Sequence, residues 1–440
     1  MSDLFSSSLP DPQDRNESVA TGKRLGWFWR LRIQLSLLVL MQVLAVLVIF
    51  VVGLPFSLFS GDNLLTRLTT STFLWSALAS VLGYGIYRSL SFFPGMSKLF
   101  YISPSLLTSY SGVILALFLM RIDYSRFVIL SNLIGGLAWL HFVTWVRGRT
   151  DVTIYGIVPI GIDRPLLDLP GANWKILKDP DMAIGDLDGI VADLKQVLPA
   201  AWERFVARCV LNGKPVFDLR IISELLTGRI QIDSVHENNF GSLLPSNLYL
   251  RVKRAIDLAL AVLVLPIVIP IIVVAILAIK FESKGPAFFL QTRMGYRGAD
   301  FTIYKLRSMR IEQDEGDAFT GEDDPRITRV GQFIRKYRID ELPQIFNVIL
   351  GDMSWLGPRP EARQLAKWYE SEIPFYMYRH AVRPGISGWA QVSQGNVAKI
   401  DAVTLKLQYD FFYIKYFSPS LDFLIILKTI YTILTGFGAR

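Results

Sequence analysis

Apolar and polar positions divide the chain into long windows that suit a bilayer and shorter alternations that suit water. Four windows, Ile33 to Val52, Leu68 to Tyr87, Leu99 to Met120 and Phe127 to Val146, contain no Asp, Glu, Lys or Arg. Each has the roughly 20 residues that a helix needs to cross the hydrocarbon core, so each is expected to be a transmembrane helix. Lys23, Arg24, Arg30 and Arg32 precede the first, Arg88 and Lys98 lie between the second and third, and Arg147 and Arg149 follow the fourth. Positive residues collect on the cytosolic side, which places both ends of this bundle inside the cell. His141, within the fourth window, reads as a neutral imidazole packed between helices.

A fifth apolar run, Ala255 to Ile279, is interrupted only by Asp257. Arg251, Lys253 and Arg254 flank one end and Lys280 and Lys284 the other, so positive-inside reasoning wants both ends cytosolic. Pro266 and Pro270 stand in its middle, where each removes a backbone donor and crowds a carbonyl one turn earlier. The expectation is a re-entrant helix that enters the membrane, breaks at the prolines and returns. The alternative is a proline-kinked spanning helix.

Between the bundle and this run, Asp151 to Leu248 alternates strand and helix patterns. Strands are expected at Val152 to Ile160 and Pro215 to Leu219, and helices at Ala200 to Leu211 and Ile221 to Thr227. This is a small, partly parallel sheet of the nucleotide-binding type without a G-x-G-x-x-G turn or a Walker A loop, so it reads as a structural or dimerising module. At the far end, Ser420 to Phe437 is apolar but broken by Asp422 and Lys428. It reads as an interfacial helix with Lys428 snorkelling. Met1 to Thr21, rich in Ser, Asp and Pro, reads as a disordered tail without signal-peptide character.

Composition adds three exclusions. With 51% hydrophobic residues over 440 positions and a mean hydropathy of +0.36, the chain is a membrane protein with cytosolic parts. Its single cysteine, Cys209, cannot form an intrachain disulfide, and His141, His236 and His380 are scattered, so no zinc site is expected. The net charge of +8 flanks apolar segments, where it answers anionic lipid, and no nucleic-acid partner is expected.

The candidate chemistry lies in Asp324 to Pro360. Arg326, Arg329, Arg335, Lys336, Arg338 and Arg359 surround one adjacent acid pair, Asp340 and Glu341. Pro343 suits the first turn of a helix, so a helix is expected to begin near Asp340, which would cap it and stay ionised at the positive end of the dipole. Glu341, about 100 degrees round such a helix, would point elsewhere and be free to hold a cation. Glu312 to Asp324 carries seven acids and no Lys or Arg, and reads as a solvated loop. Pro358 and Pro360 hold Arg359 in an extended turn that pre-organises its guanidinium. Gly295, Gly298, Gly331, Gly357, Gly385 and Gly388 read as turn positions.

From Tyr249 onward the chain carries Lys253-Arg254, QTRMGYRG (Gln291 to Gly298), FTIYKLRSM (Phe301 to Met309), DPRITRVG, DELPQIFNV, GDMSWLGPRP and RPGISGWAQV (Arg383 to Val392). In these blocks and their order it resembles the bacterial polyprenyl-phosphate hexose-1-phosphate transferases, the sugar transferases that initiate O-antigen, capsule and exopolysaccharide synthesis. The preceding segments resemble the long-form members. The resemblance implies a tail (1–21), a four-helix transmembrane bundle (22–150), a cytosolic Rossmann-like α/β domain (151–248) and a mostly α-helical monotopic catalytic domain (249–440) with its re-entrant helix at 255–279.

It further implies that Asp340 is the nucleophile, forming a phosphosugar-aspartyl intermediate with release of UMP, and that Glu341 is its metal-binding partner. Mg2+, with Mn2+ as a substitute, would be held by Asp340 and Glu341. Lys253, Arg254, Gln291, Arg293, Lys305, Arg307, Asp324, Arg326 and Arg359 are the substrate-binding candidates. The expected partners are a UDP-hexose, undecaprenyl phosphate, the bilayer and a second copy in a homodimer, at the bacterial inner membrane with the active site on the cytoplasmic face. Two other readings stay open, a non-catalytic scaffold of a polysaccharide-assembly complex and a direct transfer without a covalent step. No residue announces which hexose is preferred.

Overall fold

The computed structural model describes residues 63–91, 93, 98–150, 154–160, 173–180, 187, 189–232, 245–310, 326–394 and 400–435. The expected first transmembrane window, the N-terminal tail, the acidic loop and Asp324 lie outside them. The chain separates into two compact units, Met1–Thr227 and Gly228–Arg440.

In the first unit three helices, α1 (Asn63–Leu90), α2 (Ile102–Leu119) and α3 (Arg126–Thr150), share one apolar core. Ile102, Leu106, Tyr110, Val113 and Leu117 recur at helical spacing and form the buried stripe of α2. Gly83 of α1 permits close approach, since a Cβ there would stand 2.7 Å from Leu106 and Ser109. The buried hydroxyls of α1 bond within the bundle: Ser76 and Ser80 donate to carbonyls four residues earlier, and the Ser80 hydroxyl pairs with that of Tyr110 at 2.9 Å. Three segments are long and apolar enough to cross a membrane, Lys98–Leu119, Arg126–Trp145 and Asn247–Glu282. The second expected window is not among them, because Ser, Thr, Gly and Tyr run through α1.

The remainder of this unit is a four-stranded parallel sheet in the order β2-β1-β3-β4. Its strands are β1 (Ile154–Ile157), β2 (Asn173–Ile176), β3 (Gly189–Ala192) and β4 (Val216–Asp218). Helix α4 (Ala200–Leu211) buries Trp202, Phe205 and Cys209 against Val158, Ile190 and Ala192, while α5 (Leu219–Thr227) brings Ile222 to Ile157 and Val191. Alternate strand residues thus face opposite helices, as a two-sided sheet requires. The sequence reading places β1, β4 and both helices but has no strand at β2 or β3. β2 is largely exposed and carries Asn and Lys, and β3 opens on glycine, so neither presents the branched apolar run that marks a strand.

The second unit is built on α6 (Asn247–Glu282), a helix of 36 residues. At 1.5 Å per residue it is about 54 Å long, against a hydrocarbon core of about 30 Å. The expected break does not occur, since α6 runs through both Pro266 and Pro270. Its packing gives the reason. Lys253, Asp257, Ala261, Val268, Ile272, Ala275 and Ile279 form a buried stripe down one face, and this stripe joins Ile303, Leu306, Ile334, Ile345, Val348 and Met353 in one core. Hydrogen bonds lost at two prolines are offset by burial along the whole helix. The opposite face leaves Leu263, Ile267, Val274 and Phe281 exposed.

Both ends of α6 are fastened to polar groups of the same unit. At the N-terminal end Asp422 accepts from Lys253 (2.8 Å), Tyr249 (2.6 Å) and Tyr413 (2.8 Å). At the C-terminal end Arg307 donates to the carbonyls of Ser283 and Lys284 at 3.0 and 2.9 Å. Around α6 stand the antiparallel hairpin β5 (Phe288–Met294) and β6 (Asp300–Leu306), helices α7 (Arg329–Lys336) and α8 (Gln344–Leu350), strand β7 (Ser354–Leu356) and helix α9 (Arg363–Glu372). Strand β8 (Gly385–Ser387) pairs in parallel with β7, followed by α10 (Trp389–Gln394), α11 (Ile400–Lys415) and α12 (Pro419–Thr435). In α12, Lys428 does not snorkel but lies buried over the Trp389 ring, 4.4 Å from its centroid. The indole face supplies the negative potential that water would otherwise supply.

Candidate active site

Glu341 is the centre of the site. It closes a short 3-10 turn, Ile339–Glu341, that leaves the end of α7 through Arg338. Arg338 adopts a left-handed backbone (φ 56°, ψ 23°), a conformation that costs a non-glycine residue about 1–2 kcal/mol. The hairpin brings Lys305 to this turn, and the segment after β7 brings Arg359. Glu341 Oε1 accepts from Lys305 Nζ at 3.0 Å and from an Arg359 guanidinium nitrogen at 2.7 Å, while Oε2 lies 4.0 Å from Arg338. Asn347 fixes the turn's distance from the hairpin: its side chain donates to Thr302 O at 2.7 Å and accepts from Tyr304 N at 3.1 Å. The Arg359 segment is set by close backbone contact rather than by the expected glycine turns. A Cβ on Gly385 would stand 2.1 Å from Gly357 N, and one on Gly388 2.2 Å from Gly357 O.

The two adjacent carboxylates have opposite electrostatic fates. Burial alone would raise the Glu341 carboxyl, but Arg359, Lys305 and Arg338 more than offset it and hold it well below the usual carboxylate range. Asp340 is pushed upward, first by burial and then by the charge of Glu341, although Lys305, Arg335 and Arg338 pull it down. Asp340 makes no hydrogen bond or ion pair among the described residues. The expected cap is not formed, because Pro343 is the N-cap of α8 and Asp340 precedes it in the 3-10 turn. The helix dipole therefore does not hold this carboxylate down.

The other candidate residues divide into two groups. Arg293 belongs beside the site, where it donates to Gln291 Oε1 at 3.1 and 2.7 Å and to the Pro360 carbonyl. Lys253 and Arg307 hold the two ends of α6, and Arg254 donates to the carbonyls of Val348 and Ile349 at the end of α8. Arg326 lies where Met309 and Ile327 form an isolated bridge, its carbonyl accepting from Arg310 N at 2.8 Å.

Sequence reasoning misses the layer that supports Arg359. Arg379 donates to the Arg359 carbonyl at 2.9 Å, pairs with Asp410 at 2.9 Å and stands 3.7 Å from Glu361, which in turn binds Lys406. Burial would raise Glu361, but Lys406 and Arg379 hold it at about 2. One signal was available: Lys406 and Asp410 stand four apart, on one face of an otherwise apolar helical stretch.

Among the described residues no group of three or more His, Cys, Asp or Glu converges on a metal position. A Mg2+ ion bound chiefly by substrate phosphates needs only one or two carboxylates. Asp340 and Glu341 would fit that demand, because a shared cation would offset both the burial and the neighbouring charge that raise Asp340.

Residues 248–436 match the family model described as Bacterial sugar transferase. A UDP-N-acetylgalactosamine-undecaprenyl-phosphate N-acetylgalactosaminephosphotransferase of Aeromonas hydrophila is 47% identical over 360 residues, covering 81% of this chain and 85% of that one. A UDP-glucose:undecaprenyl-phosphate glucose-1-phosphate transferase of Xanthomonas campestris pv. campestris is 41% identical over 228 residues, which is 50% of this chain and 47% of that relative. An enzyme of the same name from Caulobacter vibrioides is 42% identical over 186 residues, 42% of this chain and 70% of its own.

The Glu341 clamp makes a testable demand on stability. Glu341→Gln leaves Lys305 and Arg359 largely buried without their counter-charge and is expected to destabilise the protein by about 3–5 kcal/mol, read as a lower Tm in detergent. Lys305→Met in the same background should recover part of the loss, with a coupling of about 0.5–3 kcal/mol. Simple addition of the two losses would show that the pair does not interact as described.

Proposed function

The chain belongs to the bacterial sugar transferase family, and on that premise we propose that it moves a sugar 1-phosphate from a UDP-sugar to undecaprenyl phosphate through a covalent intermediate on Asp340. The observation that carries this reading is the inequality of the two carboxylates. Glu341 is locked as the counter-ion of Lys305 and Arg359, whereas Asp340, one residue away, has no partner among the described residues and is basic enough to attack.

In the first half-reaction an Asp340 carboxylate oxygen attacks the phosphorus that bears the sugar. The bond from that phosphorus to the bridging oxygen breaks, and UMP leaves with the electron pair. In the second, an oxygen of the lipid phosphate attacks the same phosphorus, the acyl-phosphate bond breaks and the Asp340 carboxylate is restored. The product is undecaprenyl-diphosphate-sugar. Arg335 and Arg338 lie near enough to Asp340 to lower its pKa and are placed to meet phosphate oxygens. Arg359 is held by Glu341 on one side and by Arg379 on its carbonyl, so its remaining donors need little reorganisation. Asp340 and Glu341 would hold Mg2+, which when bound neutralises phosphate charge.

The similarity to the Aeromonas hydrophila protein extends through most of both chains and favours UDP-N-acetylgalactosamine as donor. The glucose-1-phosphate transferases match over a smaller share of this chain. The proposed site is the cytoplasmic face of the inner membrane, where nucleotide sugars are supplied. That placement is supported by the attachment of both ends of α6 to one compact unit. In this reading α6, unbroken at its prolines, is kept on the face it entered by the packing of its buried stripe against the catalytic core. Cysteines placed at Arg251 and Lys284, with Cys209→Ser, should both be labelled from the cytosolic side only, and labelling of one from outside would contradict the topology.

The enzymatic test uses the donor alone. Wild-type protein should release UMP from UDP-N-acetylgalactosamine before any lipid phosphate is added, in an amount that saturates near one per site. Asp340→Asn should fold and release none. Acceptor-independent release from Asp340→Asn would show that another group is the nucleophile, none from an active wild type would favour direct transfer, and a wild type inactive with UDP-glucose, UDP-galactose and their N-acetyl forms would favour a scaffold.

A further inference from the structure

A cavity of about 330 Å³ opens beside Glu341 in the second unit and is not used by the chemistry of the donor. It is of ligand size, at the small end of the usual range of about 300–1,000 Å³. One end is polar, with Arg338 and Glu341 in its wall. The rest is apolar, formed by Val264 and Val268 of α6, Ile345, Trp355, Ile386 and, on α12, Ile433.

Its hydroxyls are already satisfied. Thr429 and Thr432 donate to the carbonyls of Ile425 and Lys428, both at 2.7 Å, and the Ser387 and Thr429 hydroxyls pair at 2.8 Å. Folded back in this way, they leave the wall to their carbon atoms. Gln391, whose Oε1 is buried without a hydrogen-bond partner, is a polar exception. Val264 and Val268 belong to α6, whose opposite face carries exposed Leu263 and Ile267, so one helix forms both part of the cavity wall and the surface read as facing lipid. Ile433 and Tyr337, 71% and 58% exposed, mark its open sides. Arg338 lines it, and its guanidinium is half exposed with only a 4.0 Å contact to Glu341.

We propose that this cavity holds the phosphate-proximal isoprenyl units of the lipid acceptor, with the acceptor phosphate at Arg338. Continuity carries the assignment: the apolar wall is built partly on α6, the helix whose exposed face is read as facing lipid, and the same cavity is lined by Arg338 and by Glu341, the neighbour of Asp340. A free phosphate would have no use for the apolar part, and a fatty acyl chain would bring no phosphate oxygen to attack the sugar phosphate held on Asp340. The inference rests on the reading under Proposed function and assigns the acceptor a place within it.

The test separates the two. Thr432→Cys in a Cys209→Ser background gives a single thiol in the cavity wall, to be alkylated by a small maleimide. Undecaprenyl phosphate should slow that labelling about tenfold, the effect of occupancy near ten times Kd, whereas inorganic phosphate and UDP-sugar should not. Val268→Phe, which fills the cavity from α6, should keep donor-only UMP release and lower acceptor kcat/KM by about tenfold, the loss expected for excluding roughly two methylenes. Labelling that the lipid phosphate does not slow, or acceptor kinetics that Val268→Phe leaves unchanged, would overturn the cavity assignment while donor-only UMP release still stands. Absence of that release in the wild type would overturn the parent reading instead. Should Val268→Phe fail to fold, the labelling experiment decides alone.

Discussion

The pairing of Glu341 with Lys305 and Arg359 is the constraint on which the catalytic unit depends. It joins three stretches far apart in sequence, the second strand of a hairpin, a 3-10 turn and the segment between two prolines. Each charge is nearly withdrawn from water, so losing any partner would strand the others. Because both cations serve Glu341, its neighbour Asp340 keeps a carboxylate without a partner among the described residues, raised by burial and by Glu341 itself. Two acids of similar intrinsic chemistry are thereby shifted in opposite directions by their surroundings alone.

Under the proposed function the clamp would need a fixed place relative to the membrane, and α6 would set it. A single stripe of the helix, from Lys253 to Ile279, is buried against the catalytic core, while the reverse face is covered with Leu, Ile and Val. The core of the catalytic unit and its membrane anchor are therefore one packing problem. A change in the tilt of α6 would move Ile345 and Val348 of α8, and with them the turn that carries Asp340 and Glu341. Under the proposed function this coupling would bring a water-soluble donor and a lipid-borne acceptor to Asp340, and the gain in rate would come from that proximity.

The composition of Asp324 to Pro360 points to the stretch that folds into the clamp, and Lys305, Arg359 and Glu341, all candidates by sequence, are the residues that meet in it. The local geometry was misread because Pro343 fits either the first helical turn or the cap, and the structure takes the cap, leaving Asp340 outside the helix. Lys253, Arg254 and Arg307 look like phosphate ligands in sequence, but their hydrogen bonds close the ends of α6 and α8, a use that depends on tertiary contacts. Arg379, Asp410, Glu361 and Lys406 escaped notice because each alone resembles an ordinary surface charge, and only the fold assembles them beneath Arg359. In the α/β part, β2 is hidden by its polar, exposed positions and β3 by its opening glycine, whereas α4 shows its amphipathic spacing plainly.

The central claim is that Asp340 carries the sugar phosphate between donor and acceptor. Intact-protein mass spectrometry after exposure to UDP-N-acetylgalactosamine and Mg2+, without lipid phosphate, tests it most directly. The account requires one added sugar phosphate per chain, mapped to the peptide that contains Asp340 and removed when undecaprenyl phosphate is supplied. A chain that turns over rapidly with both substrates, yet shows an unmodified mass with donor alone at every quench time, would contradict it.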